Sequence, residues 1–239
     1  MQKLSIIIPF LNEEKTIHTI LMRIVALQNL NYHKEIILIN DGSSDTSEPI
    51  IQEFIGQEYP HTSFVLLKNT KNQGKGFSCK EGIRHATGDV FIIQDADLEY
   101  NPDDYAKMLQ TLEEKNLDMI YGSRNRGFVE NGFHYSYVSF LLGGLFVSFV
   151  TSIFTGRMVT DEPTCYKMFR SHLREDLLLP EENGFEWEPA ITTLLLRKGF
   201  RYGEIGIQYS PRKTIEGKKI KWIDGVKALV AIVKWRFKS

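Results

Sequence analysis

Short apolar runs that alternate with helical patterns constrain the fold of this chain more than any other feature of its sequence. Each run is followed by turn residues and then by apolar residues at helical spacing. Strands and helices that alternate in this way predict a parallel, doubly wound sheet with right-handed crossovers. The runs span residues 4–9, 35–40, 64–67, 89–94 and 118–121. The expected fold class is therefore α/β, Rossmann-like, with a mainly parallel sheet flanked by helices.

The second half of the chain departs from this alternation after Arg126. A further strand is predicted at residues 164–169, a helix at 186–199 and a last strand at 202–209. The 239 residues suit one large domain, since no low-complexity linker divides them. We therefore expect one α/β domain over residues 1–213, followed by a basic amphipathic C-terminal helix within residues 214–239.

Two carboxylates end the fourth apolar run, where Ile93 leads through Gln94 to Asp95 and Asp97. Central strands of open parallel sheets end at the cleft where ligands bind. Side chains two residues apart on a regular strand share a face, so these two negative charges would crowd one small volume. A divalent cation, Mg²⁺ or Mn²⁺, between the carboxylates and a diphosphate would offset their repulsion. The alternative is a solvated strand end that happens to be acidic.

Other polar side chains are predicted to lie at the same edge of the sheet. The carboxyl ends of parallel strands meet along one edge, so residues that follow different strands come together in space. The residues at or just past strand ends are Glu13, Asp41, Lys75, Asp95, Asp97 and Arg124. One binding cleft along this edge is therefore the expected site.

Two segments have the composition of helices that lie on a membrane. Residues 135–156 contain no charged side chain, but Gly143, Gly144 and several Ser and Thr residues dilute the run. Spanning the bilayer would separate the strand at 164–169 from its sheet, so we expect interfacial helices, with a buried core helix as the alternative. Trp222–Phe237 predicts a basic amphipathic helix that suits an interfacial anchor. Its apolar face comprises Ile223, Val226, Leu229, Val230, Val233 and Phe237.

The charge distribution excludes one class of partner and favours another. Residues 212–239 carry nine Lys and Arg against two acids, an excess of seven positive charges in a chain of net charge -1. No basic stripe of the kind that nucleic-acid binders carry is present, so the tail points to anionic lipid or phosphate. Cys79 and Cys165 form no spacing pattern, and the first strand begins too early for a signal peptide. We expect a cytoplasmic protein that associates peripherally with the cytoplasmic face of the membrane.

Four blocks follow one another along the chain at residues 7–13, 39–45, 72–76 and 94–99. In this order they resemble the signatures of family 2 glycosyltransferases with the GT-A fold. Within that family the likeness is to dolichyl-phosphate mannose synthase and bacterial polyprenyl-phosphate glycosyltransferases, and it extends over residues 4–213. The resemblance implies a nucleotide-sugar donor, UDP- or GDP-linked, a Mg²⁺ or Mn²⁺ cofactor and a polyprenyl or other lipid-linked acceptor.

The resemblance assigns a first group of residues to the nucleoside of the donor. Pro9, Phe10 and Glu13 would line the pocket for the base and ribose. Asp41 would accept a hydrogen bond from the base and so fix its orientation. The alternative for Asp41 is a turn-forming acid ahead of Gly42.

A second group is assigned to the diphosphate and the metal. Lys75, in a glycine-flanked turn, would approach the diphosphate, with a solvated lysine as the alternative. Asp95 would contact ribose and metal, and Asp97 would bind the metal directly. Gln94 or Glu99 would complete the metal's ligands.

The resemblance is looser on the acceptor side, where Thr-Cys-Tyr-Lys follows Asp161 in place of Ser-Gly-Phe-Arg. It would place Asp161 nearest the anomeric carbon, with a loop acid that pairs with Arg157 as the alternative. Arg124 would neutralise phosphate or line the acceptor entrance, unless it is a surface arginine. Arg212 and Lys218 would close over the donor diphosphate or hold an acceptor phosphate, with a lipid-facing Lys218 as the alternative.

The implied reaction is an in-line displacement at the anomeric carbon, with inversion and a nucleoside diphosphate as leaving group. A phosphate acceptor has a second pKa of about 6, is largely dianionic at neutral pH and needs little deprotonation. A hydroxyl acceptor needs a general base, for which Asp161 is the candidate. The membrane-seeking segments favour a lipid phosphate. Three alternatives stay open: transfer to a hydroxyl of a glycan or other cell-envelope acceptor, a sugar-phosphate nucleotidyltransferase, and a noncatalytic nucleotide-sugar-binding module.

Overall fold

The computed structural model describes residues 2–28, 30–131, 138–211 and 222–238. Its strands are Gln2–Phe10 (β1), Tyr32–Asn40 (β2), Thr62–Lys68 (β3), Val90–Ile93 (β4), Met119–Ser123 (β5), Lys167–Arg170 (β6) and Tyr202–Gly206 (β7). They form one seven-stranded sheet in the order β3-β2-β1-β4-β6-β5-β7. The α/β fold with a mainly parallel sheet is confirmed.

Helices connect most of the strands and cover the sheet. They are Ile17–Val25 (α1), Ser47–Ile55 (α2), Lys75–His85 (α3), Asp104–Glu114 (α4), Arg124–Asn131 (α5), Val138–Thr155 (α6), Arg174–Leu178 (α7), Trp187–Arg197 (α8) and Trp222–Phe237 (α9). The helix predicted near the C-terminus is α9, and the one predicted over residues 186–199 is α8.

The central strands are apolar on both faces because helices cover both sides of the sheet. Ile6, Ile7 and Ile8 of β1 have no exposed surface, and the same holds for the middle of β2 and all of β4. Strands buried on both faces are continuous apolar runs rather than alternating ones. Each such side chain stabilises the fold by about 1.5–3 kcal/mol relative to leaving it exposed.

Strand β6 is the one antiparallel member of this sheet. It pairs antiparallel with both β4 and β5, whereas the other pairs are parallel. Strands β1, β2, β3, β4, β5 and β7 therefore all end at the same edge, and β6 begins there. The predicted strand at 164–169 starts too early, because the hydroxyl of Thr164 donates to the carbonyl of Gly122 and the amide of Cys165 to Tyr100. The polar ends of many segments thus meet along one edge.

The C-terminal helix α9 packs on the body of the protein through a face of its own. Ala231 and Trp235 contact α8, and Ile232 lies in a small apolar cluster with Val147 of α6. The indole N–H of Trp235 donates to Glu182 at 3.0 Å. The opposite, apolar face of α9 is exposed.

Helix α6 covers most of the charge-free segment, of which residues 135–137 lie outside the described residues. Val147 and Thr151 are buried, but Phe146, Phe149 and Ile153 are exposed. Among the helices that the structure describes, none has the length and apolar character needed to cross a bilayer. The exposed side chains show that α6 is not a fully buried core helix.

Candidate active site

A lysine and two carboxylates meet at the carboxyl edge of the sheet. Nζ of Lys75, the first residue of α3, lies 2.7 Å from Oδ1 of Asp95 and 3.2 Å from Oε1 of Glu188. Burial alone would lower the pKa of Lys75, but the charge of Asp95, together with that of Glu188, outweighs burial and raises this pKa well above its usual value. Lys75 is therefore a charged, paired residue and not a solvated one.

Close backbone packing holds Lys75 in this position. Gly74 has a φ of 100°, which favours glycine, and a Cβ there would collide with the carbonyl oxygen of Asn183. The amide of Phe77 donates to the same carbonyl oxygen at 2.9 Å. A Cβ on Gly76 would lie 2.5 Å from Cβ of Trp187. The first turns of α3 and α8 are thus fixed against each other.

Asp97 lies just beyond β4 and is buried, with 5% of its surface exposed. Its Oδ1 accepts the amide of Glu99 at 3.0 Å. The carboxylate of Glu99 accepts the hydroxyl of Tyr209 at 2.9 Å. Two acids, Asp95 and Asp97, therefore follow β4 at the edge predicted for them.

Gln94 lies in the core rather than at the exposed edge of the sheet. It is fully buried, and its Oε1 accepts the hydroxyls of Tyr105 and Tyr166. Its amide nitrogen donates to the carbonyl of Asp95 at 2.9 Å. The prediction that Gln94 completes the ligands of a metal is wrong, because its oxygen is engaged in the core.

Asp161 and Arg124 form a buried ion pair. Nε and Nη2 of Arg124 donate to the two carboxylate oxygens of Asp161 at 2.8 and 2.7 Å, and the amide of Arg124 adds a third hydrogen bond of 2.8 Å. Burial would lower the pKa of Arg124, but the charge of Asp161 outweighs it and raises that pKa. The guanidinium carbon lies 5.2 Å from the ring centre of Tyr209. Asp161 thus pairs with Arg124 rather than Arg157, and Arg124 is not a surface arginine.

Asp41 is buried and engaged with the loop that precedes α3. Its two carboxylate oxygens accept the amides of Gln73 and Gly74, each at 2.9 Å. The turn that was the alternative role for Asp41 is made by its neighbour, since Oδ1 of Asn40 accepts the amide of Ser43 at 2.7 Å. Asp41 therefore fixes the glycine-flanked turn from which Lys75 extends.

The remaining donor-side residues lie where β1 ends. Pro9 and Phe10 are buried, and Glu13 is half-buried. The amide of Glu13 donates to the hydroxyl of Ser47 at 2.8 Å, which ties the loop after β1 to α2. Arg212 and Lys218 lie outside the described residues.

Glu188 is the residue of this site that sequence reasoning missed. It lies in the first turn of α8, with 6% of its surface exposed, and its helix was predicted from the sequence with no site residue assigned to it. A signal was available, because Glu186 and Glu188 are acids at the start of a segment that is otherwise apolar and becomes buried. Neither belongs to a recognised motif block.

The residues at this edge fit a divalent cation in two respects. Carboxylate oxygens are the ligands that Mg²⁺ and Mn²⁺ prefer, and Asp95 already holds a cation, the ammonium of Lys75. No group of three or more His, Cys, Asp or Glu in the described part of the chain is arranged to hold a metal by itself. Magnesium sites commonly combine one or two carboxylates with substrate phosphates and water. A cation bound to Asp95 and Asp97 would take its other ligands from such a substrate.

Curated relatives share much of this sequence. The chain is 28% identical over 179 residues to an undecaprenyl-phosphate 4-deoxy-4-formamido-L-arabinose transferase of Proteus mirabilis. The aligned region covers 74% of this chain and 52% of that protein. The chain is also 36% identical over 132 residues to a dolichol-phosphate mannosyltransferase of Pyrococcus furiosus. This aligned region covers 54% of this chain and 36% of that protein. The chain thus spans about a third to a half of the length of these relatives.

Solved structures share the fold. A glucosyl-3-phosphoglycerate synthase of Mycobacterium tuberculosis in complex with Mn²⁺, UDP-glucose and phosphoglyceric acid has a TM-score of 0.70 at 15% identity, over 98% of this chain and 80% of that one. The same enzyme with Mn²⁺, UDP and glucosyl-3-phosphoglycerate has a TM-score of 0.65 at 17% identity, with the same coverage.

A family model described as Glycosyl transferase family 2 matches residues 5–178. The match covers more than half of the chain and contains the edge residues from Pro9 to Asp161. The chain therefore belongs to glycosyl transferase family 2 and has a GT-A-like fold.

Proposed function

We propose that this protein is an inverting, metal-dependent glycosyltransferase that moves a sugar from a UDP- or GDP-linked donor to a polyprenyl or dolichyl phosphate. The named relatives from Proteus mirabilis and Pyrococcus furiosus act with undecaprenyl phosphate and dolichol phosphate. The catalytic domain would comprise residues 1–213, with 214–239 as the anchoring segment. The donor would lie along the carboxyl edge of the sheet.

The observation that carries the proposal is an apolar surface joined to the site. Helix α6 and the loop after it expose Leu142, Leu145, Phe146, Phe149, Ile153 and Met158, and α9 exposes Trp222, Ile223, Val226, Val230, Val233 and Phe237. We call these residues the apolar surface. The hydroxyl of Ser148 on α6 accepts the amide of Glu162 at 2.8 Å, so α6 is fixed to the loop that holds Asp161. A lipid acceptor bound along this surface would place its phosphate near Arg124.

Charge supports a membrane as the occupant of the apolar surface. Lys227 and Arg236 of α9 and Arg157 after α6 are exposed beside it. Apolar side chains flanked by cations are typical of helices that lie in the interface of an anionic bilayer. We infer that the protein associates peripherally with the membrane.

Each group at the site has a role in this reaction. A divalent cation at Asp95 and Asp97 would stabilise the charge that develops on the leaving diphosphate. Lys75 would add a positive charge on the same side, while Pro9, Phe10, Glu13 and Asp41 would frame the nucleoside. We place Arg212 and Lys218 near the phosphates.

The pairing of Asp161 supports a phosphate acceptor over a hydroxyl acceptor. Both of its oxygens accept hydrogen bonds from Arg124. A carboxylate held in this way is unsuited to taking a proton from an acceptor. A phosphate monoester needs no base, since its second pKa is about 6. In this proposal Asp161 orients Arg124, whose remaining N–H donors hold the acceptor phosphate.

The test is sugar transfer in vesicles of matched composition. The protein, Mn²⁺ and a panel of radiolabelled UDP- and GDP-sugars are mixed with vesicles that contain undecaprenyl phosphate or undecaprenol. We expect label in the lipid fraction with the phosphate alone. Label on undecaprenol, or on a water-soluble glycan, would favour a hydroxyl acceptor and contradict the proposal.

A further inference from the structure

Lys75 lies between two carboxylates from different parts of the chain, Asp95 after β4 and Glu188 on α8. The side chains of Lys75 and Glu188 are 14% and 8% exposed, so solvent screens their charges only weakly. The contact to Asp95 is the shorter of the two. Oε1 of Glu188 has no hydrogen-bond partner among the described residues, although the ammonium is 3.2 Å away. Glu188 is therefore a buried carboxylate whose interaction with the lysine is incomplete.

Asp95 is also one of the two carboxylates that the proposed function assigns to a divalent cation. An ammonium group and a metal ion on the same carboxylate repel each other strongly at such short range. Binding of the cation would therefore displace Lys75 from Asp95. A buried lysine without a counter-ion is unfavourable, so the lysine needs a second carboxylate within reach.

We infer that Lys75 competes with the divalent cation for Asp95, and that Glu188 is the positioning residue that receives Lys75 when the cation binds. This inference rests on the proposed function. Glu188 is suited to the part because Gly76 of α3 packs against Trp187 at the start of α8, and the amide of Phe77 donates to the carbonyl of Asn183 in the loop before α8. The exchange then needs only a rotation of the lysine side chain.

The exchange has a consequence for how the ligands bind. Without a nucleotide, the cation must displace Lys75 and so binds weakly. A diphosphate offers oxygens both to the cation and to the displaced ammonium, so nucleotide and cation strengthen each other's binding. Glu188 keeps the ammonium at the edge of the sheet, ready to contact that diphosphate.

The test is Mn²⁺ binding without nucleotide or sugar, measured by electron paramagnetic resonance. We expect Lys75→Met to bind Mn²⁺ about tenfold more tightly than wild type, because the competing charge is gone. Glu188→Gln should bind it about threefold to tenfold more weakly, because Lys75 then stays on Asp95. In the double variant the effect of Glu188→Gln should fall below about twofold. Lys68→Met removes a charge from a lysine that is 63% exposed and should match wild type.

Two results would overturn the inference: a Lys75→Met variant that binds Mn²⁺ no more tightly, or an effect of Glu188→Gln that is the same with and without Lys75. Thermal unfolding checks that each variant folds, and Lys75→Gln replaces Lys75→Met if the latter does not. Sugar transfer by wild type with unchanged Mn²⁺ affinity in Lys75→Met would refute the inference alone. The expected Mn²⁺ affinities without any transfer would refute the proposed function alone.

Discussion

Asp97 is the single residue on which the proposed chemistry depends most. We expect Asp97→Ala to lower the rate of transfer by at least about a hundredfold, because it removes a ligand of the cation that stabilises the leaving group. The fold should persist, since the hydrogen bond to the amide of Glu99 contributes only about 1 kcal/mol. Activity and thermal unfolding are measured together. Asp103→Ala, which removes an exposed acid ahead of α4, is the control, and equal activity of the two variants would contradict the role of Asp97.

Glu162 is a second residue whose environment makes a prediction. Burial, opposed by the charge of Lys167, raises the pKa of Glu162 from 4.5 to about 7. Between these values the folded chain binds the proton more tightly than the unfolded chain, so the free energy of unfolding falls as pH rises. We expect Glu162→Gln to raise that free energy by up to about 3 kcal/mol at pH 8 and by much less at pH 4. Denaturant unfolding at both pH values measures this, and an equal gain at both would contradict it.

The partners of these residues could be predicted from sequence only in part. Lys75 and Asp95 both follow strands, so a common edge follows from parallel topology. Their ion pair depends on how two loops meet, which no spacing reveals. The alternative considered for Asp161 was a pair with nearby Arg157, but its partner is Arg124, which is distant in sequence and adjacent across the edge of the sheet.

Among the elements, α6 and α9 present the apolar surface. Deletion of residues 222–239 is a poor test of membrane binding, since it would also remove the buried side chains of Ile232 and Trp235. We expect a double variant with Phe149→Asp and Val230→Asp to bind anionic vesicles about tenfold or more weakly than wild type. Each substitution removes an exposed apolar side chain and adds a negative charge that the anionic lipid repels. Vesicle co-sedimentation and nucleotide binding are measured on the same samples.

The matched control for this pair is Met22→Asp, an exposed apolar residue of α1 outside the apolar surface. It should bind vesicles as wild type does. If the pair and the control lose vesicle binding equally, or if the pair loses nucleotide binding as well, the apolar surface is not the membrane contact.

Element boundaries illustrate what periodicity can and cannot predict. Helical spacing gave both the bounds of α9 and its apolar face, which is exposed except for half-buried Leu229. The face of α9 that packs on α8 contains Ala231 and Trp235. The spacing of these two residues does not by itself show that this face is buried and the other apolar face exposed. The antiparallel direction of β6 could not be predicted from the sequence either, because the direction of a strand depends on the path of the chain before it.

At the scale of the whole molecule, nucleotide binding should stabilise the fold. A ligand that binds only the folded chain adds about 2.7 kcal/mol to the free energy of unfolding at a hundred times its Kd. We expect UDP or GDP to raise the thermal midpoint when Mg²⁺ or Mn²⁺ is present, and to lose most of this effect in excess chelator. A rise that is the same with and without the chelator would exclude a bridging cation.

The overall architecture was predictable because the alternation of apolar runs and helices leaves few topologies open. The common edge at which the site residues lie was predictable for the same reason, since six parallel strands end there. The proposed acceptor side was less predictable, because it depends on how α6 and α9 pack, and topology does not determine this packing.

The central claim is that Asp95 and Asp97 bind a divalent cation together with the donor diphosphate. Crystals grown with Mn²⁺ and the more stabilising of UDP and GDP test it directly through the anomalous signal of manganese. The account predicts one strong peak in contact with both carboxylates and with diphosphate oxygens. A nucleotide bound at the edge with no manganese on either carboxylate, or manganese bound only elsewhere, would contradict it.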